Sequence, residues 1–177
     1  MRMALLAGVA LAFSTTGFAQ AATVTVTPTV IGEKAQTKFD EKYGAREIAP
    51  LTDYLQRQVT RALEKAGADV GPGGALRVET TLVAAKPNKP TFKELGDRIG
   101  LDYMRSRSIG GADLSAKLID ASGRVVDQID FRWYDSDLRW VMSEAPWSGA
   151  ETAIRLFAIK VADRYEQQAP RAMPAGS

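Results

Sequence analysis

The side chains in this chain best suited to chemistry are acidic and aromatic, and they lie close together. Asp130, Arg132, Tyr134, Asp135 and Asp137 fall within one short stretch. Two carboxylates across a cleft can hydrolyse a glycan without histidine, one as acid and the other as base or nucleophile. That makes Asp130, Asp135 and Asp137 the candidate acidic site. Asp135 and Asp137 could instead offer oxygens to calcium. No EF-hand spacing or second acidic cluster accompanies them, so no metal and no cofactor is expected. The plain alternative is a solvated strand face followed by a polar turn.

The aromatic residues Trp133, Tyr134, Trp140 and Trp147 cluster in the same region. Their faces can stack on sugars or on a partner's side chains. Trp133 continues an apolar strand face and is expected in the core. Trp140 and Trp147 lie outside the strand pattern, so packing does not obviously demand them. A third group is cationic. Lys86, Lys89, Lys93, Arg98, Arg105 and Arg107 make residues 86–111 the most basic stretch, diluted by Glu94, Asp97 and Asp102. Such a stretch suits anionic envelope polymers or lipid headgroups. The expected binding surface combines Trp140, Trp147, Arg105, Arg107 and Tyr134.

Absences narrow the chemistry. The chain has no histidine, which removes the usual general base and the histidine-dependent triads. It has no cysteine, so disulfides, thiolate zinc sites and a lipidated cysteine are excluded. With 23 basic and 21 acidic residues, it lacks the basic excess of a nucleic-acid binder. Residues 1–21 read as a secretory signal peptide: Met1-Arg2-Met3, an apolar run from Ala4 to Phe13, then Ala19-Gln20-Ala21 before the cut. The run is too short to span a membrane, which takes about 20 apolar residues. A periplasmic or secreted location is expected, with one domain over residues 22–168 and a flexible tail over 169–177.

The elements that must position these residues follow from periodicity. Residues 110–137 carry the strongest signal, a β-hairpin. Leu114, Ala116 and Leu118 alternate with polar residues, as do Ile129, Phe131 and Trp133. Between them Asp120-Ala121-Ser122-Gly123-Arg124 has turn composition. The register that puts the apolar sets on one face pairs Leu118 with Asp127, Ala116 with Ile129, Leu114 with Phe131 and Asp113 with Arg132. It also pairs Ile119 with Val126 and Asp120 with Val125.

Residues 23–31 read as a strand that Pro28 confines to an edge or a bulge. Residues 32–47 read as a loop with Phe39 and Tyr43 as anchors. Leu51, Tyr54, Leu55, Val59, Ala62, Leu63 and Ala66 predict a helix closed by Gly67. Leu76, Val78, Thr80, Leu82 and Ala84 predict a second strand. Thr91-Phe92-Lys93-Glu94 matches a capping box, with Phe92, Leu95 and Ile99 facing inward. Ser148-Gly149-Ala150-Glu151 matches another, ahead of a helix with Ala150, Ala153, Ile154, Phe157, Ala158, Val161, Ala162 and Tyr165 on one stripe. Two amphipathic helices over strands with one apolar face each give an α+β two-layer sandwich. Its sheet is largely antiparallel, of about four strands, with both main helices on one face.

Pro87-Asn88-Lys89-Pro90-Thr91, Ile109-Gly110-Gly111-Ala112, Trp133-Tyr134-Asp135-Ser136-Asp137 and Trp147-Ser148 carry a resemblance. The chain resembles small secreted proteobacterial proteins of an uncharacterised, domain-of-unknown-function type. Its strand–helix order also looks like a domain of envelope lipoproteins such as the curli-secretion lipoprotein, whose lipidated cysteine it lacks. The resemblance implies an envelope setting and carries over no catalytic residue. The expected function is a non-catalytic periplasmic protein that binds or helps assemble an envelope component: a protein, a glycan or an anionic lipid. A carboxylate-dependent glycan hydrolase is the alternative.

Overall fold

The computed structural model describes residues 23–143 and 145–172. The signal-peptide reading lies outside the described residues, as does the expected 169–177 tail from residue 173 onward, whereas residues 169–172 are the end of the last helix. Six strands form one mixed sheet: β1 (Thr23–Val26), β2 (Val30–Ile31), β3 (Asp69–Val70), β4 (Leu76–Lys86), β5 (Gly111–Asp120) and β6 (Val125–Tyr134). The spatial order is β3-β1-β4-β5-β6, with β2 also beside β4. The α+β class holds. The sheet has more strands than periodicity predicts, and one half of it is parallel. Pro28 explains the extra pieces. It breaks residues 23–31 into β1 and β2, which run parallel to β4 at different heights. The two-residue β3 then covers the outer side of β1.

The hairpin register is the expected one from Asp113–Arg132 to Leu118–Asp127. It departs next to the turn, where Ile119 pairs with Val125 and Val126 becomes the extra residue of a bulge. Asp120 causes this by gathering the turn onto its own carboxylate, which accepts from the backbone N–H groups of Ser122 at 2.9 Å and Arg124 at 3.1 Å. A second bulge at Val83 in β4 corrects the face assignment, because Ala85 rather than Ala84 is buried beyond it.

The long helix α2 (Ile48–Lys65) buries Ile48, Leu51, Leu55, Val59 and Leu63, spaced by three or four residues. It ends at Gly67, whose φ of 83° suits glycine. The last helix, α4 (Ser148–Ala172), buries the whole predicted stripe from Ala150 to Tyr165. Both helices enclose a single core with Val24, Leu76, Val78, Leu82, Leu114, Leu118 and Ile129 of the sheet. Phe131 and Trp133 pack only partly into this core, because β6 is the terminal strand and α4 covers just part of its face.

Residues 32–47 are not a loop. They form α1 (Glu33–Lys38), a π-helical turn (Phe39–Tyr43) and a 3₁₀ turn (Ala45–Glu47). Ala35, Phe39 and Tyr43, four apart, are its buried side. In the basic connection, α3 (Phe92–Asp97) has the expected capping box: Thr91 Oγ1 accepts from the Glu94 N–H, and Glu94 Oε2 accepts from the Thr91 N–H. Its facing is reversed, however. Six residues make too short a helix to present a long stripe, and the cap turns Glu94 inward while Phe92 and Ile99 point to solvent.

Candidate functional site

The four sequence motifs that carry the family resemblance meet at one residue, Asn88, which is fully buried. Its backbone N–H donates to Pro146 O at 2.6 Å and its carbonyl accepts from Ser108 N at 2.7 Å. Its side-chain Oδ1 accepts from the Gly149 N–H at 2.7 Å and from the Ser148 hydroxyl at 3.3 Å. Its Nδ2 donates to Asp135 Oδ2 at 2.5 Å. Asp135 N–H in turn donates to Gly110 O at 2.9 Å. Every polar group of Asn88 is thus used, as a buried amide requires. Gly110 and Gly149 make this possible, since a methyl at Gly110 would land on the Asn88 carboxamide. One at Gly149 would lie 2.5 Å from Asp135 Oδ2 and 2.7 Å from Asn88 Oδ1.

This junction also corrects the reading of the α4 terminus. Ser148 is the first helical residue rather than the cap, and the Glu151 N–H goes to Trp147 O at 2.9 Å. A side chain from a distant segment, Asn88, satisfies the second helical N–H instead.

The remaining predicted residues scatter. Trp147 is a core residue and leaves the proposed exposed patch. Its ring stacks on Phe39 at 5.3 Å, meets Tyr43 edge-on at 5.6 Å, and its Nε1–H donates to Glu47 at 2.7 Å. Loop position had suggested exposure, but Trp147 joins Phe39 and Tyr43 from a distant part of the sequence. Trp140 lies in the 3₁₀ turn Leu138–Ser143, and its side chain lies outside the described residues. Tyr134 ends β6 half-buried, with the Arg132 guanidinium 5.4 Å from its ring centre. Burial, and then the charge of Asp113, push its hydroxyl up to about 12. Arg105 is exposed, and its N–H donates to Asp102 Oδ1 at 2.8 Å.

Arg107 instead faces a cavity of about 170 Å³. Lys42, Lys86, Lys89, Arg98 and Arg107 all line it, and Glu94 is its one carboxylate. Three parts of the chain supply these groups. The π-helical turn brings Lys42 and Tyr43, the end of β4 brings Lys86, and the basic connection brings the rest. Pro87 and Ser108, on either side of the Asn88 junction, form part of the wall, so the junction fixes the cavity's shape. Glu94 is occupied by the α3 cap and sits 3.6 Å from Lys42. Lys89 is buried, with its ammonium 5.4 Å from the Tyr103 ring centre. Arg107 Nε is buried and has no hydrogen-bond partner among the described residues. The Tyr43 hydroxyl is pushed up, mainly by burial and then by the Glu94 charge. The lining therefore carries a surplus of cations, an arrangement that attracts anions.

The acidic candidates lie outside this lining. Asp130 is exposed, Asp135 is committed to Asn88, and Asp137 bonds Arg139 Nε at 2.7 Å. The Arg139 side chain, then its N–H, hold the Asp137 carboxyl below the usual carboxylate range. Among the described residues no group of three or more acidic, histidine or cysteine side chains could hold a metal ion.

Sequence reasoning missed Asn88, Lys42 and Glu94 as site residues. A proline-flanked Asn-Lys pair and the paired glycines at 110–111 were the available signals.

The model of a family described as Protein of unknown function (DUF3313) matches residues 6–129. No curated protein matches the chain significantly. Among solved structures, the chain is similar to a PelC dodecamer from Paraburkholderia phytofirmans, at 14% identity over 80% of this chain and 83% of that one, with a TM-score of 0.47. It is similar to the hypothetical protein CT253 from Chlamydia trachomatis, at 10% identity over 85% and 98% of the two chains, with a TM-score of 0.45. It is also similar to lipoprotein GNA1162 from Neisseria meningitidis, at 12% identity over 82% and 99%, with a TM-score of 0.41.

Proposed function

The chain belongs to the DUF3313 family of proteins of unknown function, and from that premise we propose a non-catalytic envelope protein that binds an anionic component in the cavity beside Asn88. The observation that carries this reading is the convergence of Lys42, Lys86, Lys89, Arg98 and Arg107 on one cavity whose lining holds a single carboxylate. Low-dielectric walls around like charges raise the local concentration of anions. The partly sequestered Arg107 guanidinium offers a planar fork suited to phosphate or carboxylate oxygens. The proposed route to the envelope is the leader over residues 1–21, with residues 22–168 as the exported domain and a periplasmic or secreted location.

Calorimetric titration tests the reading, with inorganic phosphate and an anionic polysaccharide as probes and neutral dextran as the control. Lys86 and Arg98 are both exposed, so replacing them by alanine leaves the fold intact. The pair of substitutions is expected to weaken anion binding about tenfold, and added salt should weaken it further. Affinity indifferent to salt and to both substitutions overturns the proposal. Affinity capture from native periplasm followed by mass spectrometry identifies the natural component.

A further inference from the structure

β6 is the terminal strand, and among the described residues no strand lies beyond it. On its β5 side, Asp135 donates its N–H to Gly110 O at 2.9 Å. Backbone direction alternates along an antiparallel strand. Counting back from Asp135, Trp133, Phe131 and Ile129 therefore turn their N–H and C=O groups to β5. Tyr134, Arg132, Asp130 and Gln128 turn theirs to the open edge. The turn end of this edge is blunted in two of the ways proteins use against stray pairing. Val126 is the extra residue of a bulge, and Asp127 puts a charge on the core side, where Arg164 meets it at 3.7 Å. Residues 128–134 carry no bulge, proline or core-side charge. Phe131 stands at their centre and, like Trp133, packs only partly into the core.

We propose that this edge pairs with the same edge of a second copy of the chain, antiparallel, about a two-fold axis at Phe131. The register follows from charge. With Phe131 facing its own counterpart, Asp130 of each copy faces Arg132 of the other. Two opposite-charge pairs form, and the outward backbone groups of the same residues meet. Asp130 is exposed and has Ser115 opposite it on β5, while Arg132, 3.5 Å from Asp113, comes to lie between two carboxylates. On the core side Ile129 faces Trp133, so the partly covered rings gain neighbours. Leu156 of α4, 41% exposed, adds an apolar side chain nearby. It lies one turn from Lys160, whose ammonium is 5.7 Å from the Phe131 ring centre. Moving the axis by one residue sets Asp130 against Asp130 or Arg132 against Arg132, which like charges oppose. Self-complementarity of this kind is what an isologous contact requires, and a foreign strand would gain nothing from it. Each cavity adjoins the end of β4, level with the end of β6. The paired copies therefore share one continuous sheet and carry their cavities at opposite ends. The inference is independent of what fills the cavity.

Sedimentation equilibrium of the full chain tests it, with two single variants. Asp130→Arg sets arginine against Arg132 at both pairs, and Arg132→Glu sets glutamate against Asp130 at both. Each variant alone should dissociate about tenfold or more readily than the parent. Mixed together, the two variants restore an opposite-charge pair at both positions and should form a heterodimer. Both side chains are exposed, so the melting curves of the monomers should match the parent's. The parent alone supplies a second readout: amide exchange at Asp130 and Arg132 should slow as protein concentration rises. Four results overturn the proposal. The parent stays monomeric up to about 100 μM, a modest affinity by the standard of stable dimers. Both single variants dimerise as well as the parent, which places the contact on another face. The mixed variants fail to associate. The two amides exchange at a rate independent of concentration. Anion titration of the cavity enters none of these readouts, so the two proposals fail separately.

Discussion

Replacing Asn88 by alanine removes the polar junction in one step. The Gly149 N–H at the start of α4 loses its acceptor, and a buried donor without a partner costs about 1–3 kcal/mol. Asp135 loses the donor that now sits at 2.5 Å, at a further cost of about 1 kcal/mol. The expected loss is about 2–4 kcal/mol, a large share of the roughly 5–15 kcal/mol that holds a domain together. In a urea melt followed by circular dichroism, a slope near 2 kcal/mol/M turns this into a midpoint shift of about 1–2 M. Asn88→Asp is the sharper variant. It swaps a donor for an oxygen facing the Asp135 carboxylate, so two negative charges meet at hydrogen-bond distance. Protonating one of them restores a donor and removes the repulsion. The folded state of this variant therefore binds more protons than the unfolded chain, and its stability should rise as pH falls. An alanine variant within about 1 kcal/mol of the parent would refute the junction's structural role. An aspartate variant with the parent's pH profile would refute the Asn88–Asp135 contact.

Three further outcomes are expected. Gly149→Ala should cost at least as much as the loss of one buried hydrogen bond, about 1–3 kcal/mol, because its methyl would meet Asp135, Asn88 and the Gly110 backbone; denaturant melts report it. Trp147→Ala should cost about 3–5 kcal/mol, as a core aromatic does, while Trp147→Phe should keep most of the stacking on Phe39 and lose the bond to Glu47. The third concerns Asp120, whose carboxyl is held down to about 2 from its ordinary 3.8, first by the Ser122 hydroxyl and then by the Arg124 and Ser122 N–H groups. A lowered acid stabilises the fold above its unfolded value and stops doing so as pH falls from about 4 to about 2. Asp120→Asn should thus melt below the parent at neutral pH and converge with it near pH 2.

Sequence periodicity disclosed the parts of the fold in which one face of an element is uniformly apolar. The hairpin register is legible because a one-residue slip would put Asp130 against Leu114. The α2 and α4 stripes are legible for the same reason. Residues 32–47 were opaque because Ala35, Phe39 and Tyr43 are too few among charged neighbours to signal a helix, and a π-helical turn has no period of its own. Trp147 was misread because its partners, Phe39 and Tyr43, lie far away in sequence. The cavity was half legible. The basic connection was visible as a charge run, yet Lys42 joins it only through folding. Asn88 illustrates the general limit: one buried amide leaves no pattern, and its value comes from four segments that meet there.

The mixed sheet has a consequence in time. On one side of β4 lie the antiparallel strands β5 and β6, joined to each other by a short turn, and closing so small a loop costs little entropy. On the other side, β1 runs parallel to β4 and reaches it across 51 residues, as in the Thr27–Val78 contact. That pairing must wait for α1 and α2 to be drawn in, since parallel neighbours need a crossover between them. The two flanks of one central strand therefore belong to different stages of folding. The hairpin can serve as the early template, and the parallel flank closes the core afterwards. Damage to the Asp120 turn should accordingly slow folding, whereas damage to β1 should chiefly hasten unfolding.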